Sequence, residues 1–394
     1  MGLFNFNKQK PTQPETSVDN GGTLMDSVIR LAATSQLPSI LEDRREEWVT
    51  YGKDNNFPTY LETLYNSSPT HQAIVDSKAL IVAGDSYTYD DSQLSLEQKQ
   101  MLKQTLQYID GKHTIEEFIN DVSKDLALYG AIATEIIMSL DRSKWVIAKR
   151  VSPKHIRSGK YDDGDINEYF YSRNWMDRRE DRYSIPAFDI NNKEDARQLM
   201  YIPLSLVTNE YYGEPSYLAS LNWISLESQC GEYYKSLLDN NFSPSMIVNF
   251  FRKPANLEEK EAIVRGLKES FGGSKNAGKV IVSFSSDKDT APEIKPIDVA
   301  NVDKQFLVLA EQIQSKILTG GRITTPELLG INIPGSLGSS GDFPSQVEAF
   351  QKFVIAPSQK IINILINKLL FINGFDVNFE IKPYELTANQ TPKI

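Results

Sequence analysis

Only one cysteine, Cys230, occurs in the 394 residues, so no internal disulfide can form, and the chain reads as one made in a reducing cytoplasm. Histidine is nearly as scarce. His71, His113 and His155 lie far apart, none paired at i+3 or i+4 with another ligand type in a known metal pattern, so a zinc site is not expected and each reads as a surface or helix-boundary residue. No G-x-S-x-G elbow is present, and no grouping nominates a nucleophile with its base, so the chain reads as a non-enzyme without a cofactor. Long apolar runs are missing too. The nearest approach, Leu126 to Met138, is broken by Gly130 and Glu135, and no membrane-spanning helix is expected. The first ten residues lack the apolar stretch of a signal peptide, and Phe6 stands where a myristoylation motif after Gly2 wants serine or threonine. An excess of positive charge is absent as well. A net charge of −10 argues against a tight, free-standing DNA binder, although not against a protein that holds DNA loosely.

What is present is an ordinary globular composition, 40% apolar and 24% charged, in a chain long enough for two or three modules. Residues 1–20 and 385–394 are polar and read as flexible tails. Capping boxes at Ser95/Gln98, Thr114/Glu117 and Ser345/Glu348, with Asn256/Glu259 as a close variant, predict helices beginning near 96, 115, 346 and 257. Further helices are expected near 26–36, 58–66 and 70–82. Ala131–Leu140 and Lys144–Val151 predict a hairpin across Asp-Arg-Ser. The fold class is α+β.

The second half has a telling order. A long helix is expected from about Ser216 to Asn240, then a strand (Met246–Phe251), a helix (Leu257–Phe271) and a strand (Val280–Phe284). Another helix follows, with Val302, Phe306, Leu309, Ile313 and Ile317 on one stripe. Asn332–Pro344 is rich in glycine and serine and should be mobile; its only charge is Asp342. From Ser345 to about Ile372 a long helix carries Pro357 mid-way, where a kink is expected because proline lacks the N–H and crowds the preceding turn.

Three motifs invite chemistry. Gly273–Lys279 fits G-x-x-x-x-G-K, yet Val280 replaces the Mg²⁺-binding hydroxyl, and the order is helix then strand, the reverse of a phosphate loop. A plain loop is the reading, with a nucleotide-binding enzyme as the alternative of another class. Asp162-Asp163-Gly164-Asp165 lacks calcium-loop spacing and reads as a solvated turn. Arg142, Lys144, Lys149, Arg150, Lys154, Arg157 and Lys160 form a basic cluster that could touch nucleic acid or an acidic neighbouring subunit; a solvated hairpin with balancing charges is the preferred reading.

Several segments, in order, resemble the tailed-bacteriophage portal family, in its long non-contractile-tailed branch. They are Trp48-Val-Thr-Tyr51-Gly52, Asn66-Ser-Ser-Pro69-Thr-His71, Ile81-Val-Ala-Gly84, Leu126-Ala-Leu-Tyr129-Gly130 and Tyr212-Gly213-Glu-Pro215-Ser-Tyr217-Leu218. Phe242-Ser-Pro244, Asn276-Ala-Gly278-Lys279-Val280, Asp303-x-Gln305-Phe306 and Thr325-Pro326-Glu-Leu328-Leu329-Gly330 continue the series. The likeness spans about residues 45–372. A histidine expected just before Tyr212 is missing from Ile202-Pro-Leu-Ser-Leu.

The resemblance implies a portal fold. Residues 21–215 would be the wing, 216–240 a stem helix, 241–300 a small α/β clip, and 301–331 the second stem helix and connector. Residues 332–344 would be a tunnel loop, 345–384 a kinked wing helix with a terminal strand, and the crown short or absent. Subunits would ring in twelves at one capsid vertex as a channel for packaging and ejecting double-stranded DNA that passes without tight binding. Implied partners are the major capsid and scaffolding proteins, the terminase and later the head–tail adaptor, and no membrane. The implied location is the virion, with host cytoplasm during assembly. The tunnel loop would place Asn332, Gly335, Ser336, Gly338, Ser339, Ser340 and Gly341 at the channel. Lys260, Arg265, Lys268, Lys275 and Lys279 would dock terminase or adaptor. A head–tail adaptor or minor capsid protein is the alternative within virions. Cationic linings neutralise phosphates and deepen binding, so an uncharged polar loop suits sliding DNA.

Overall fold

A computed structural model describes residues 38–239, 247–250, 257–259, 261–263, 265, 281–284, 299–323, 326–329 and 343–384. The first half opens with strands β1 (Ile40–Glu42) and β2 (Val49–Tyr51), helices α1 (Phe57–Ser67) and α2 (Pro69–Ala83), and strand β3 (Ser86–Thr88). Helices α3 (Leu96–Gln107) and α4 (Ile115–Tyr129) follow, then β4 (Ala131–Met138) and β5 (Trp145–Val151). Short strands come next: β6 (Ile156–Ser158), β7 (Tyr161–Asp162), β8 (Asp165–Ile166), β9 (Glu168–Tyr171), β10 (Tyr183–Pro186) and β11 (Arg197–Pro203). The second half holds α5 (Leu221–Asp239), β12 (Ile247–Phe250), β13 (Ile281–Phe284), α6 (Val299–Gly320), α7 (Phe343–Phe350), α8 (Ala356–Ile372) and β14 (Glu380–Lys382).

Local chemistry explains the clearest starts. Ser95 and Thr114 each accept from the N–H three residues on, while the Gln98 and Glu117 side chains bond back to the cap N–H groups, so both predicted boxes form. Ser345 does not cap: α7 already begins at Phe343, which puts this serine inside the first turn. The predicted hairpin is β4–β5, extended by β11 into a three-stranded antiparallel sheet. The acidic turn at 162–165 is a two-residue hairpin between β7 and β8, with Asp163 and Gly164 both at positive φ, and not a cation loop.

β12 and β13 pair in parallel, Ile247 opposite Ile281 through Phe250 opposite Phe284. Parallel partners need a crossover connection. Residues 257–259, 261–263 and 265, between the two strands, are helical, as the sequence order predicts.

α8 supplies much of the core through Ile362, Leu365, Ile366, Leu369 and Leu370. Burying each such side chain stabilises by about 1.5–3 kcal/mol. The segment Ser345–Ile372 is, by length and composition, apolar enough to cross a membrane, which corrects the expectation drawn from uninterrupted runs. Its apolar residues lie on both sides, since Phe353, Ile364 and Phe371 are exposed while the residues named above are buried. Pro357 acts through the turn before it. Gln351–Ile355 is a π-helical turn in which the Ala356 N–H donates to the Gln351 carbonyl five residues back, so the interruption takes the form of a widened turn where proline cannot donate.

Candidate functional site

α5 and α6 lie side by side, and among their described side chains the buried ones gather toward one end. Leu221, Ile224 and Leu226 of α5 are buried, as are Ile313 and Ile317 of α6. Further out, Gly231 and Glu232 are exposed, and on α6 Leu307 and Val308 are 64% and 54% exposed. The predicted α6 stripe is therefore core at Ile313 and Ile317 and half-buried at Leu309; the side chains of Val302 and Phe306 lie outside the description.

The seated ends meet polar anchors from α2 and from Ser68 just before it. Glu227 accepts from Ser68 Oγ, the cap of α2, and from Thr70 Oγ1 at 2.5 Å. Lys78 Nζ donates to Ser216 Oγ at 2.9 Å and to the Gly321 carbonyl at 3.4 Å. Lys78 is 9% exposed, and its pKa is pushed down to about 8 by burial and by nearby Arg322. A cleft of about 620 Å³ opens beside it, bounded by Ser123, Pro215, Arg322, Phe353 and Pro357. Sequence reasoning passed over this cleft. One signal existed: Lys78 shares the buried stripe of Ile74, Val75, Ala79 and Val82, where a cation is unusual.

His71 also sits in this junction, in the first turn of α2, so the helix-boundary expectation for it holds and the surface one is corrected. It is 1% exposed, with its ring edge-on to Tyr217 at 4.2 Å and no partner for Nε2 among the described residues. Burial, with Lys78 adding to it, pushes its pKa down to about 4. Below its unfolded value the unfolded chain takes a proton that the folded chain refuses. Stability is thus expected to fall by about 3 kcal/mol as pH drops from 6.5 to about 4. Urea unfolding across that range should show the loss in the native chain, and His71→Phe should flatten it; an unchanged slope in the variant would assign the loss elsewhere. His113 is exposed and bonds Asp110 at 2.7 Å, and His155 is half-buried on the Ser172 carbonyl.

Four members of the basic cluster, Arg142, Arg150, Lys154 and Arg157, are held by partners within the fold, which corrects the reading of the whole cluster as a solvated hairpin. Arg157 is 1% exposed and spends its guanidinium on Asn55 and on the Lys154 and Ile156 carbonyls, against the rings of Tyr51 and Trp175. Arg150 forks onto buried Asp125, Lys154 pairs with Glu62 at 3.0 Å, and Arg142 Nη1 donates to the Ser139 carbonyl. Lys144 and Lys149 match the solvated reading, both being exposed, and Lys160 is half-buried.

The early family-like segments converge although up to about 160 residues separate them. Tyr51 and Tyr212 stack at 4.0 Å, Tyr51 OH donates to the Gly213 carbonyl, and Tyr212 OH donates to the Val49 carbonyl. Tyr217 OH donates to the Leu128 carbonyl at 2.5 Å. Gly130 and Gly213 lie in backbone contact.

Of the predicted contact residues, Arg265 is helical and exposed. Lys260, Lys268, Lys275 and Lys279 lie outside the described residues, as do Asn332, Gly335, Ser336, Gly338, Ser339, Ser340 and Gly341, the Gly273–Lys279 motif and the expected helix near 26–36. Among the described residues no cluster of three metal-ligating side chains occurs.

The fold is shared with solved chains. A chain in the neck of an empty gene transfer agent (GTA) particle, computed with C6 symmetry, covers 85% of this chain and 84% of its own length at 17% identity and a TM-score of 0.54. One in the neck of a native GTA particle, computed with C12 symmetry, covers 92% and 89% at 17% identity and 0.54. An HK97 family phage portal protein from Corynebacterium diphtheriae covers 82% and 95% at 10% identity and 0.47, too low a score to carry weight. No protein-family model and no curated protein matches the sequence.

Proposed function

We propose that this chain is the portal subunit of a phage-like particle, a ring-forming channel for double-stranded DNA. The observation that carries the reading is the fold shared over more than four-fifths of the chain with chains of GTA necks. It agrees with the ordered resemblance of the sequence to phage portals. In this reading α5 and α6 are the paired stem helices, and 241–300, built on the parallel pair β12–β13, is the clip. There Lys260, Arg265, Lys268, Lys275 and Lys279 would meet the terminase and then the head–tail adaptor. Residues 332–344 would line the channel, with Asn332, Gly335, Ser336, Gly338, Ser339, Ser340 and Gly341 toward DNA. Residues 21–215 and the helix beyond 345 would form the wing, facing capsid and scaffolding proteins at a virion vertex, in a ring of twelve.

The physical support is mechanical and electrostatic. Two helices seated at one end on buried polar anchors can carry a module away from the wing. A net charge of −10 limits phosphate neutralisation, so DNA could slide. The test is negative-stain imaging and light scattering of the purified full chain. Rings with a central hole are expected; a strict monomer at all concentrations would refute the reading.

A further inference from the structure

We propose that the outer stripe of α8, together with the cleft at its N-terminal end, is the surface on which a second copy of this chain docks head to tail. The inference rests on the ring reading above and names the face that would build the ring.

The stripe is defined by exposure. Phe353, Pro357, Lys360, Ile364, Lys368 and Phe371 recur three or four residues apart and are all exposed, so they share one helical face. The apolar members are well out in solvent: Phe353 is 68% exposed, Ile364 42% and Phe371 64%. The opposite face is the core already described, so core packing accounts for none of these side chains. Charge is one-sided. Residues 351–372 contain Lys352, Lys360 and Lys368 and no aspartate or glutamate, in a chain whose net charge is −10. None of the three lysines joins an ion pair among the described residues.

The cleft continues this surface. Phe353 and Pro357 belong to both. Lys78 and Arg322 add two cations to the cleft, and Ser123 Oγ, buried in its wall, has no partner among the described residues. Glu214 also borders it, but its Oε1 is taken by Thr208 and Asn209. The π-helical turn presents Phe353 at the junction of stripe and cleft, and such turns recur at functional positions. Two cations against the one carboxylate of Glu214, with apolar side chains and a spare hydroxyl, fit an apolar surface that brings acidic groups.

A second copy brings them. The outer face of α4 alone exposes Glu116, Glu117 and Asp121. The charge pattern also decides the symmetry. A two-fold contact would set this stripe against itself, lysine facing lysine. A contact with a different, acidic face avoids that repulsion and is heterologous, and heterologous contacts close into rings or run on as filaments.

The test uses the full chain carrying Phe353→Glu or the pair Lys360→Glu and Lys368→Glu. All three positions are exposed, so circular dichroism and Tm should match the native chain. Light scattering and negative stain should show the native protein as rings, and the variants should need roughly tenfold more protein to assemble. Leu140→Glu, in a turn where Leu140 is 99% exposed, should assemble normally. Variants that assemble like the native chain overturn this inference and leave the ring reading standing. A native chain that never assembles overturns both. A photo-crosslinking residue at Phe371 gives a second readout. Cross-links between copies at acidic peptides are expected; none between copies overturns the proposal. Lysine-dependent capture by vesicles rich in anionic lipid, with assembly unaffected, would assign the stripe to a membrane surface and overturn it too.

Discussion

At about pH 8, Arg150→Met is expected to destabilise the folded chain by about 3–5 kcal/mol, the usual effect of stranding one member of a buried ion pair. Asp125 is 1% exposed on α4 and accepts two bonds from Arg150 on β5, both at 2.6 Å. Methionine replaces the apolar stem and leaves the carboxylate buried with no counter-charge. The pH dependence identifies the cause. Burial already pushes the Asp125 pKa up to about 6 while Arg150 pulls it down, so losing Arg150 raises it further. A folded-state value above the unfolded one means that the folded variant binds more protons, and its stability falls as pH rises through that window. Urea unfolding should therefore show a larger deficit near pH 8 than near pH 5. Adding Asp125→Asn should recover much of it near pH 8. Equal deficits at both pH values would mean that no buried charge is left behind.

Gly130→Ala is expected to cost about 4 kcal/mol, combining a left-handed backbone penalty with overpacking against main chain. Gly130 ends α4 at φ 72 and ψ 19, a conformation that side chains disfavour. A Cβ there would stand 2.4 Å from both the Glu214 carbonyl carbon and the Pro215 nitrogen, and one on Gly213 would stand 2.1 Å from the Gly130 oxygen. Neither contact can yield by rotating a side chain. The same corner holds β11, because the Leu204 N–H donates to the Gly130 carbonyl at 2.8 Å. Chemical denaturation measures the cost; a deficit below about 1 kcal/mol would show that the corner shifts freely.

Much of the architecture was legible because its causes are local. Ser95 and Thr114 cap helices through residues three positions away, and Asp-Arg-Ser turns β4 into β5. The strand–helix–strand order at β12 and β13 was legible as well, while their parallel pairing came with the fold. Pro357 marked the place of the helix interruption, although not its π-helical form. The basic cluster was misread because the partners of Arg150, Lys154 and Arg157 include groups distant in sequence. Arg157 finds Asn55 about a hundred residues back, and nothing near it in sequence announces this partner.

The sequence by itself determined the order of elements, the α+β class and, with its single cysteine, the lack of an internal disulfide, since composition, caps, turns and periodicity act within a few residues. Only the tertiary structure decided that Lys78, Ser123, Arg322 and Phe353 share one cleft and that His71 is buried against Tyr217. It likewise decided that one face of α8 stays uncovered with its lysines outward. The physical reason is that burial and electrostatic environment depend on which distant segments pack together. Local propensity carries no information about that choice.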